Sequence, residues 1–193
     1  MKKYTYLNPR SIKKAVLAIN IETESLLLRN MNVNDVSQDY VNWLNNPEIN
    51  KYLSCSNTLQ TMESCLSYVR SYERKEDKAL IGIFLKDKKL HIGNLTLSTI
   101  DWGRRVGIVG ISLGRKEYMG QGLASEALTS LKDYCFQQLT LHRLEAKVSE
   151  QHLNSLKIFL KSGFKVEGLL RDSAIIDGEF HNGYILGVLE TDL

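Results

Sequence analysis

The segment from residue 106 to residue 139 constrains the fold more than any other part of the sequence. Val106 to Leu113 is a mostly apolar run that is typical of a β-strand. Gly120 to Leu139 then has the spacing of an amphipathic helix, with one apolar stripe formed by Leu123, Ala127, Leu128, Leu131, Tyr134 and Cys135. A strand that leads through a short loop into such a helix favours a layered α/β architecture.

The loop between this strand and this helix has the composition of an anion site. Gly120 and Gly122 allow the backbone to approach a ligand closely, and the N–H groups and dipole of a helix start favour negative charge. Arg115 and Lys116 add positive charge beside it. The pattern predicts a pyrophosphate cradle, with a simple tight turn as the alternative. Neither the phosphate-loop motif nor the dinucleotide fingerprint is present, because their required lysine and third glycine are missing.

The rest of the chain alternates between the two kinds of element. Apolar or alternating runs predict strands at 26–29, 79–86, 90–100, 143–149, 164–171 and 184–190. Helical spacing predicts further helices beginning near residues 34, 58 and 154. A length of 193 residues suits one domain, and no linker or repeat interrupts it. We therefore expect a mixed α/β domain over residues 21–193, preceded by an N-terminal extension over residues 1–20.

Composition and charge exclude several classes of protein. The formal net charge of +3 is too small to indicate nucleic-acid binding, and no run approaches the roughly 20 apolar residues of a membrane span. Three cysteines without a C-x-x-C motif argue against disulfides and zinc, so we expect no metal site. The short apolar run after the basic start lacks a cleavage site, which indicates a cytoplasmic protein.

The motifs together resemble the GNAT superfamily of acetyl-CoA-dependent N-acetyltransferases. The strand-to-helix junction resembles the family's Arg/Gln-x-x-Gly-x-Gly/Ala motif. Residues 23–29 resemble the opening strand of the ribosomal-protein acetyltransferase subgroup, and residues 40–48 resemble its first helix, in a form also seen among enzymes that acetylate amino sugars. Residues 91–95 resemble the family's central hairpin, and Ser155 followed by residues 161–164 resembles the helix and the closing strand. The resemblance implies a central, mostly antiparallel, twisted sheet of about 6–7 strands with a splay between two middle strands, flanked by about four helices.

The resemblance also implies which residues bind acetyl-CoA as the acetyl-donating co-substrate. These are Ile111, Ser112, Leu113, Arg115, Lys116, Met119, Gly120, Gln121, Gly122, Leu123, Ala124, Asn154, Ser155 and Phe159. The chain departs from the family pattern in three places. Glu117 replaces the usual Arg or Gln, His152 replaces a frequent Asn, and Phe159 replaces the Tyr that often protonates the leaving thiol.

Catalysis requires removal of a proton from the acceptor amine, because most amines are protonated at pH 7. Glu150 and His152 follow the strand near the expected thioester, and we favour Glu150 as the base. Ser155 is a candidate donor to the leaving sulfur, with a helix cap as its alternative role. The developing oxyanion needs a hydrogen-bond donor, and the resemblance implies that this donor is a backbone N–H of the strand 111–113. Candidate acceptor-binding residues are Trp43, His91, Asp101, Trp102 and His181.

Three functions are compatible with these residues. The first is acetylation of a small-molecule amine such as an amino sugar, by direct attack in a ternary complex. The second is acetylation of a protein N-terminus, as on a ribosomal protein. The third is a non-catalytic CoA-binding module, which the departures at Glu117 and Phe159 leave open. Edge strands of this fold often pair between subunits, so a homodimer is also compatible with the sequence.

Overall fold

The computed structural model describes residues 9–192, which form six α-helices and eight β-strands. The helices are α1 (Pro9–Val16), α2 (Gln38–Asn45), α3 (Pro47–Asn50), α4 (Met62–Arg70), α5 (Leu123–Gln137) and α6 (Leu153–Lys161). The strands are β1 (Asn20–Glu22), β2 (Leu26–Asn30), β3 (Ala79–Leu85), β4 (His91–Asp101), β5 (Val106–Leu113), β6 (Arg143–Ser149), β7 (Lys165–Ile176) and β8 (Glu179–Leu189). The mixed α/β class is confirmed, with α1, α3 and β1 as elements beyond the expected number.

All eight strands form one sheet in the order β1-β2-β3-β4-β5-β6-β8-β7. Every neighbouring pair is antiparallel except β5 and β6, which are parallel. The connections explain this exception. Short turns join β3 to β4 and β4 to β5, which makes these pairs antiparallel. Between β5 and β6, the long helix α5 returns the chain to the end of the sheet at which β5 began, so β6 runs parallel to β5. The sheet is therefore the mostly antiparallel one that the family resemblance implied.

Helices cover both faces of the sheet. The apolar stripe of α5 predicted from the sequence is buried against one face, in a large core shared with residues of α6 and of strands β2 to β6 and β8. Val16 and Ile19 belong to the same core, although they lie in the expected N-terminal extension. Residues 1–8 of that extension lie outside the described residues. On the other face, α2 and α4 form a smaller core around Tyr40, Trp43 and Val69.

Capping side chains decide where the helices begin. The sequence placed the start of α2 near residue 34, but Asn32 caps a separate 3-10 turn over residues 33–35. Ser37 then accepts a hydrogen bond from the Tyr40 N–H, so α2 itself begins at Gln38. By contrast, α5 begins after Gly122, which has no side chain to cap the first turn. The N–H groups at that helix start are left for another acceptor.

Other sequence expectations concern cysteines, metals and membranes. Cys55, Cys65 and Cys135 are all free thiols. Within residues 9–192, no group of three or more His, Cys, Asp or Glu side chains is arranged to hold a metal ion. None of the described helices is long and apolar enough to span a membrane.

Candidate active site

Strands β5 and β6 separate along their length. Their parallel pairing covers only Val106 to Ile108 on β5 and Arg143 to Glu145 on β6. Beyond this point β5 remains paired with β4 as far as Leu113, and β6 remains paired with β8 as far as Ser149. The two strands thus form a wedge-shaped gap that opens toward their carboxyl ends, at the splay that the resemblance implied.

Backbone groups of β5 point into this gap. The Gly114 N–H donates to the Ile92 carbonyl of β4 at 2.8 Å, and the Arg105 carbonyl accepts from the Arg143 N–H at 3.2 Å. Because successive residues of a strand direct their N–H and C=O groups to opposite sides, Ile111 and Leu113 direct theirs toward β6, as Arg105 does. The Ser112 backbone groups are directed toward β4. The gap is consequently lined by peptide groups that can pair with an extended amide-containing ligand.

The loop at the wide end of the gap presents a row of free donors. None of the six backbone N–H groups from Gly120 through Ser125 donates to a described residue. Gly120 and Gly122 have positive φ angles of 77° and 85°, and no atom lies within 4 Å of the position a Cβ would take on either residue. Exposed N–H groups beside open space at a helix start fit an anion such as a pyrophosphate.

The two cations of the loop are already paired. Arg115 contacts Asp39 of α2 at 2.5 Å and Glu117 at 3.5 Å, and it also donates to the His91 carbonyl at 3.1 Å. Lys116 forms an ion pair with Glu48 of α3. These contacts fix the loop to the helices on the second face of the sheet. Attraction for an anion in the cradle therefore comes mainly from the backbone donors.

An aromatic cluster supports the start of the loop. Trp43 lies against Gly114 so closely that a Cβ there would overlap its ring. The His91 ring packs within 6 Å, centroid to centroid, of the rings of Trp43, Tyr40 and Phe84. Burial lowers the pKa of His91, so this ring is neutral at pH 7. Both predicted acceptor residues, Trp43 and His91, thus contribute to packing under the loop.

Asp101 and Trp102, also predicted to contact the acceptor, lie at the opposite end of the sheet. Asp101 pairs with Val106 in the β4–β5 register, and the eight residues from there to Gly114 extend about 26 Å. The Asp101 carboxylate contacts Arg104 at 2.7 Å, and the Trp102 indole donates to the Glu76 carbonyl at 3.1 Å. The structure does not bring these two residues to the wide end of the gap.

The loop between β6 and α6 carries Glu150, the candidate base. One oxygen of its half-buried carboxylate accepts from the Asn182 backbone N–H at 3.0 Å. The other oxygen accepts from the Asn182 side-chain amide at 3.1 Å. Glu150 also donates its own N–H to the Asn182 carbonyl, which closes the connection to β8. The carboxylate therefore has a fixed orientation at the end of β6.

His152 caps α6 in this structure. Its Nδ1 accepts from the Ser155 N–H at 3.4 Å, and its ring stacks on Tyr52 at 4.1 Å between centroids. Burial lowers the pKa of His152 and favours the neutral ring. A neutral ring that accepts at Nδ1 carries its proton on Nε2, so this arrangement suits a cap better than a base. Ser155 as a residue is 9% exposed, and its hydroxyl has no hydrogen-bond partner among residues 9–192.

The remaining predicted residues divide between the surface and the core. Met119, Gln121 and Asn154 are exposed, while the side chains of Leu123 and Ala124 are buried under the first turn of α5. Phe159 is buried against Phe164, with ring centroids 5.0 Å apart and nearly perpendicular planes. His181 lies near the end of β6, where its Nδ1 contacts the Gln151 amide at 3.1 Å.

Three residues near Glu150 were not identified from the sequence. Tyr52 contacts His152 and also donates to the Gln151 carbonyl at 3.4 Å. Gln151 contacts His181, and Asn182 holds Glu150. Each of these contacts joins residues that are 30 or more positions apart in the chain. No local spacing pattern indicates such a contact.

Comparisons with known proteins agree with this geometry. The family model described as "Acetyltransferase (GNAT) domain" matches residues 25–165. An uncharacterized N-acetyltransferase, p20, of Bacillus licheniformis is 30% identical over 172 residues, covering 88% of this chain and 96% of the relative. The ribosomal protein uS5-alanine N-acetyltransferase of Escherichia coli is 28% identical over 127 residues, or 65% of this chain and 64% of that enzyme.

Solved structures share the fold. The spermidine N-acetyltransferase of Vibrio cholerae, in complex with CoA and spermine, superimposes with a TM-score of 0.79 at 20% identity, covering 88% of this chain and 98% of that one. A GNAT-family acetyltransferase of Bacillus anthracis gives a TM-score of 0.78 at 21% identity, with 90% and 99% covered. The family model spans most of the chain, one relative is 30% identical, and the split sheet agrees with both. The chain therefore belongs to the GNAT family of acetyl-CoA-dependent N-acetyltransferases.

Proposed function

We propose that the protein transfers the acetyl group of acetyl-CoA to the primary amine of a small molecule, such as an amino sugar. The observation that carries this proposal is the gap between β5 and β6, which ends at an uncapped helix start. A long substrate with an anion at one end and amide groups in the middle fits both features. Attack is direct, with both substrates held together in a ternary complex.

The cradle and the gap supply the residues for acetyl-CoA. Residues 119–124 would surround the pyrophosphate, and the Ile111 and Leu113 backbone groups would pair with the amides of the pantetheine arm. Asn154 and Ser155, at the start of α6, would contact the same co-substrate, while Arg115 and Lys116 hold the loop in place. The relatives solved with CoA or acetyl-CoA bound support this choice of co-substrate.

Glu150 would accept the proton of the acceptor amine as that amine attacks the thioester carbonyl. The oxyanion formed would be stabilised by a backbone N–H that β5 directs into the gap. The leaving thiol has a pKa near 8.5 by analogy with cysteine, so it leaves without a strong acid. The Ser155 hydroxyl can donate to its sulfur, and the apolar Phe159 at the usual tyrosine position then costs little.

A protein N-terminus is the second candidate acceptor. The observation in its favour is the similarity to the enzyme that acetylates an alanine of ribosomal protein uS5. A polyamine also enters the comparison, because a spermidine N(1)-acetyltransferase of Escherichia coli is 38% identical over 66 residues. On this chain, His181, Gln151 and Tyr52 lie near Glu150, and we infer that they contact the acceptor.

Release of free CoA thiol from acetyl-CoA tests the proposal. The acceptor panel contains amino sugars, amino-sugar nucleotides, peptides with N-terminal alanine or serine, spermidine and aminoglycosides. Turnover with an amino sugar supports the first candidate, and turnover confined to the peptides supports the second. Tight acetyl-CoA binding without turnover of any amine would indicate the non-catalytic module instead. The cytoplasmic location and the homodimer remain predictions from the sequence.

A further inference from the structure

Asn182 holds both oxygens of one carboxylate. Its backbone N–H donates to Glu150 Oε1 at 3.0 Å, and its side-chain Nδ2 donates to Glu150 Oε2 at 3.1 Å. Asn182 comes from β8, whereas Glu150 follows the end of β6. A glutamate at a strand end otherwise samples several side-chain rotamers. The contacts to Asn182 restrict it to one.

A third contact determines which way the Asn182 amide is turned. Its Oδ1 accepts from the Asp172 N–H at 3.2 Å, where β7 makes an irregular step between Leu170 and Ala174. Turning the amide over would place its oxygen against the Glu150 carboxylate and its NH₂ group against the Asp172 N–H. Both contacts would then be unfavourable. The main chain of β7 therefore keeps the NH₂ group directed at Glu150.

We propose that Asn182 is a positioning residue for the acetyl transfer, acting by fixing the orientation of the Glu150 carboxylate. The inference rests on the proposed function, in which Glu150 is the base. Each carboxylate oxygen has a second lone pair, so accepting from Asn182 leaves Glu150 able to accept one more hydrogen. In the proton step, an N–H bond of the attacking amine breaks and an O–H bond forms on Glu150. That proton later passes to the thiolate of CoA or to water.

Three variants separate this role from a structural one. Asn182→Ala removes both side-chain contacts. Asn182→Asp keeps an acceptor for the Asp172 N–H but replaces the donor to Glu150 with a second negative charge. Glu150→Gln removes the base and provides the background for a double-mutant cycle. Asn34→Ala is the matched control, because the exposed Asn34 side chain makes no contact with the site.

Two rates are measured for each variant. The first is steady-state thiol release with the best acceptor of the panel, and the second is the slow hydrolysis of acetyl-CoA without an amine. We expect Asn182→Ala and Asn182→Asp each to lower kcat by about 10- to 100-fold, because misplacing a catalytic group by 1 Å costs on this order. The KM for acetyl-CoA should stay within about twofold of the wild-type value. In the Glu150→Gln background, Asn182→Ala should cause no further loss, since the two residues act as one unit.

The outcomes distinguish the two proposals. An unchanged kcat in both Asn182 variants would overturn the positioning role while leaving the transferase function intact. A loss that is equally large with and without Glu150 would overturn it too, because Asn182 would then act on the fold. Should Asn182→Ala fail to fold, Asn182→Asp carries the same test with the β7 contact retained. Wild-type protein without any acetyl-CoA turnover would refute the proposed function itself.

Discussion

Replacing Gly122 with alanine tests the anion cradle while keeping every backbone N–H in place. The residue has a φ of 85°, and no atom lies within 4 Å of the position its Cβ would take. The substitution should therefore lower the free energy of unfolding of the unliganded protein by about 1–2 kcal/mol, because alanine is strained in the left-handed region. For a chain of this length, each kcal/mol lowers Tm by roughly 2–4 °C.

The effect on acetyl-CoA should be much larger. The new methyl group would occupy the space in which the pyrophosphate is expected, and would separate it from at least one donor. A hydrogen bond to a charged group contributes about 1.5–3 kcal/mol, which corresponds to a loss in affinity of roughly 10- to 150-fold. Calorimetric titration with acetyl-CoA measures this loss directly.

The chain offers a matched control for this substitution. Gly178, in the turn between β7 and β8, has a φ of 84° and equally open surroundings. Gly178→Ala should lower Tm by a similar amount and leave the affinity for acetyl-CoA unchanged. If Gly122→Ala bound acetyl-CoA as tightly as the wild type, or if both variants weakened it equally, the pyrophosphate would not lie in the cradle.

Three other predictions concern the surroundings of the site. Gly114→Ala should destabilise the fold by about 1–3 kcal/mol, because its methyl group would overlap the Trp43 ring, and chemical denaturation measures the change. Burial lowers the pKa of His91 and of His152 in the folded protein. The free energy of unfolding should therefore be highest above about pH 6.5, which is near the pKa of a histidine in the unfolded chain. It should fall as the pH drops below about 6.5, by at most about 1.4 kcal/mol per pH unit for each histidine. Replacing either histidine with glutamine should reduce that slope in denaturant titrations, and an unchanged slope would contradict the assignment. Tyr52→Ala removes a stacking contact of about 0.5–1.5 kcal/mol and should raise the KM for the amine without changing the affinity for acetyl-CoA, as steady-state kinetics and calorimetry would show.

The parts of the fold that follow from local patterns could be predicted from the sequence. The bounds of β5 and β6 agree with the predicted 106–113 and 143–149, because both segments combine apolar runs with clear turn residues. The helix after Gly122 is equally clear from its apolar stripe. By contrast, β1 has only three residues, and its place beside β2 depends on tertiary packing.

The site could be predicted only where it is formed by residues that are close together in the sequence. Gly120 and Gly122, which the sequence indicated as a loop open to a ligand or as a tight turn, have positive φ angles. The partners of charged groups could not be foreseen in this way, since Arg115 is held by Asp39 across 76 positions. The contact between Glu150 and Asn182 likewise arises because β8 runs beside β6. Contacts of this kind depend on the strand order, which single-sequence patterns do not contain.

The short pairing between β5 and β6 divides the sheet into two parts. Strands β1 to β5 are paired in sequence on one side, and β6 to β8 are paired on the other. Within residues 9–192, the strand register joins the two parts at three residue pairs of β5 and β6. Separating them breaks few backbone hydrogen bonds, so this line is where slow opening motions of the native protein should begin. A ligand bound in the gap contacts both parts and must be lost before they separate, which makes the opening rarer as the ligand concentration rises. We therefore expect amide hydrogen exchange along β5 and β6 to slow when acetyl-CoA is added, if the co-substrate binds in the gap as proposed.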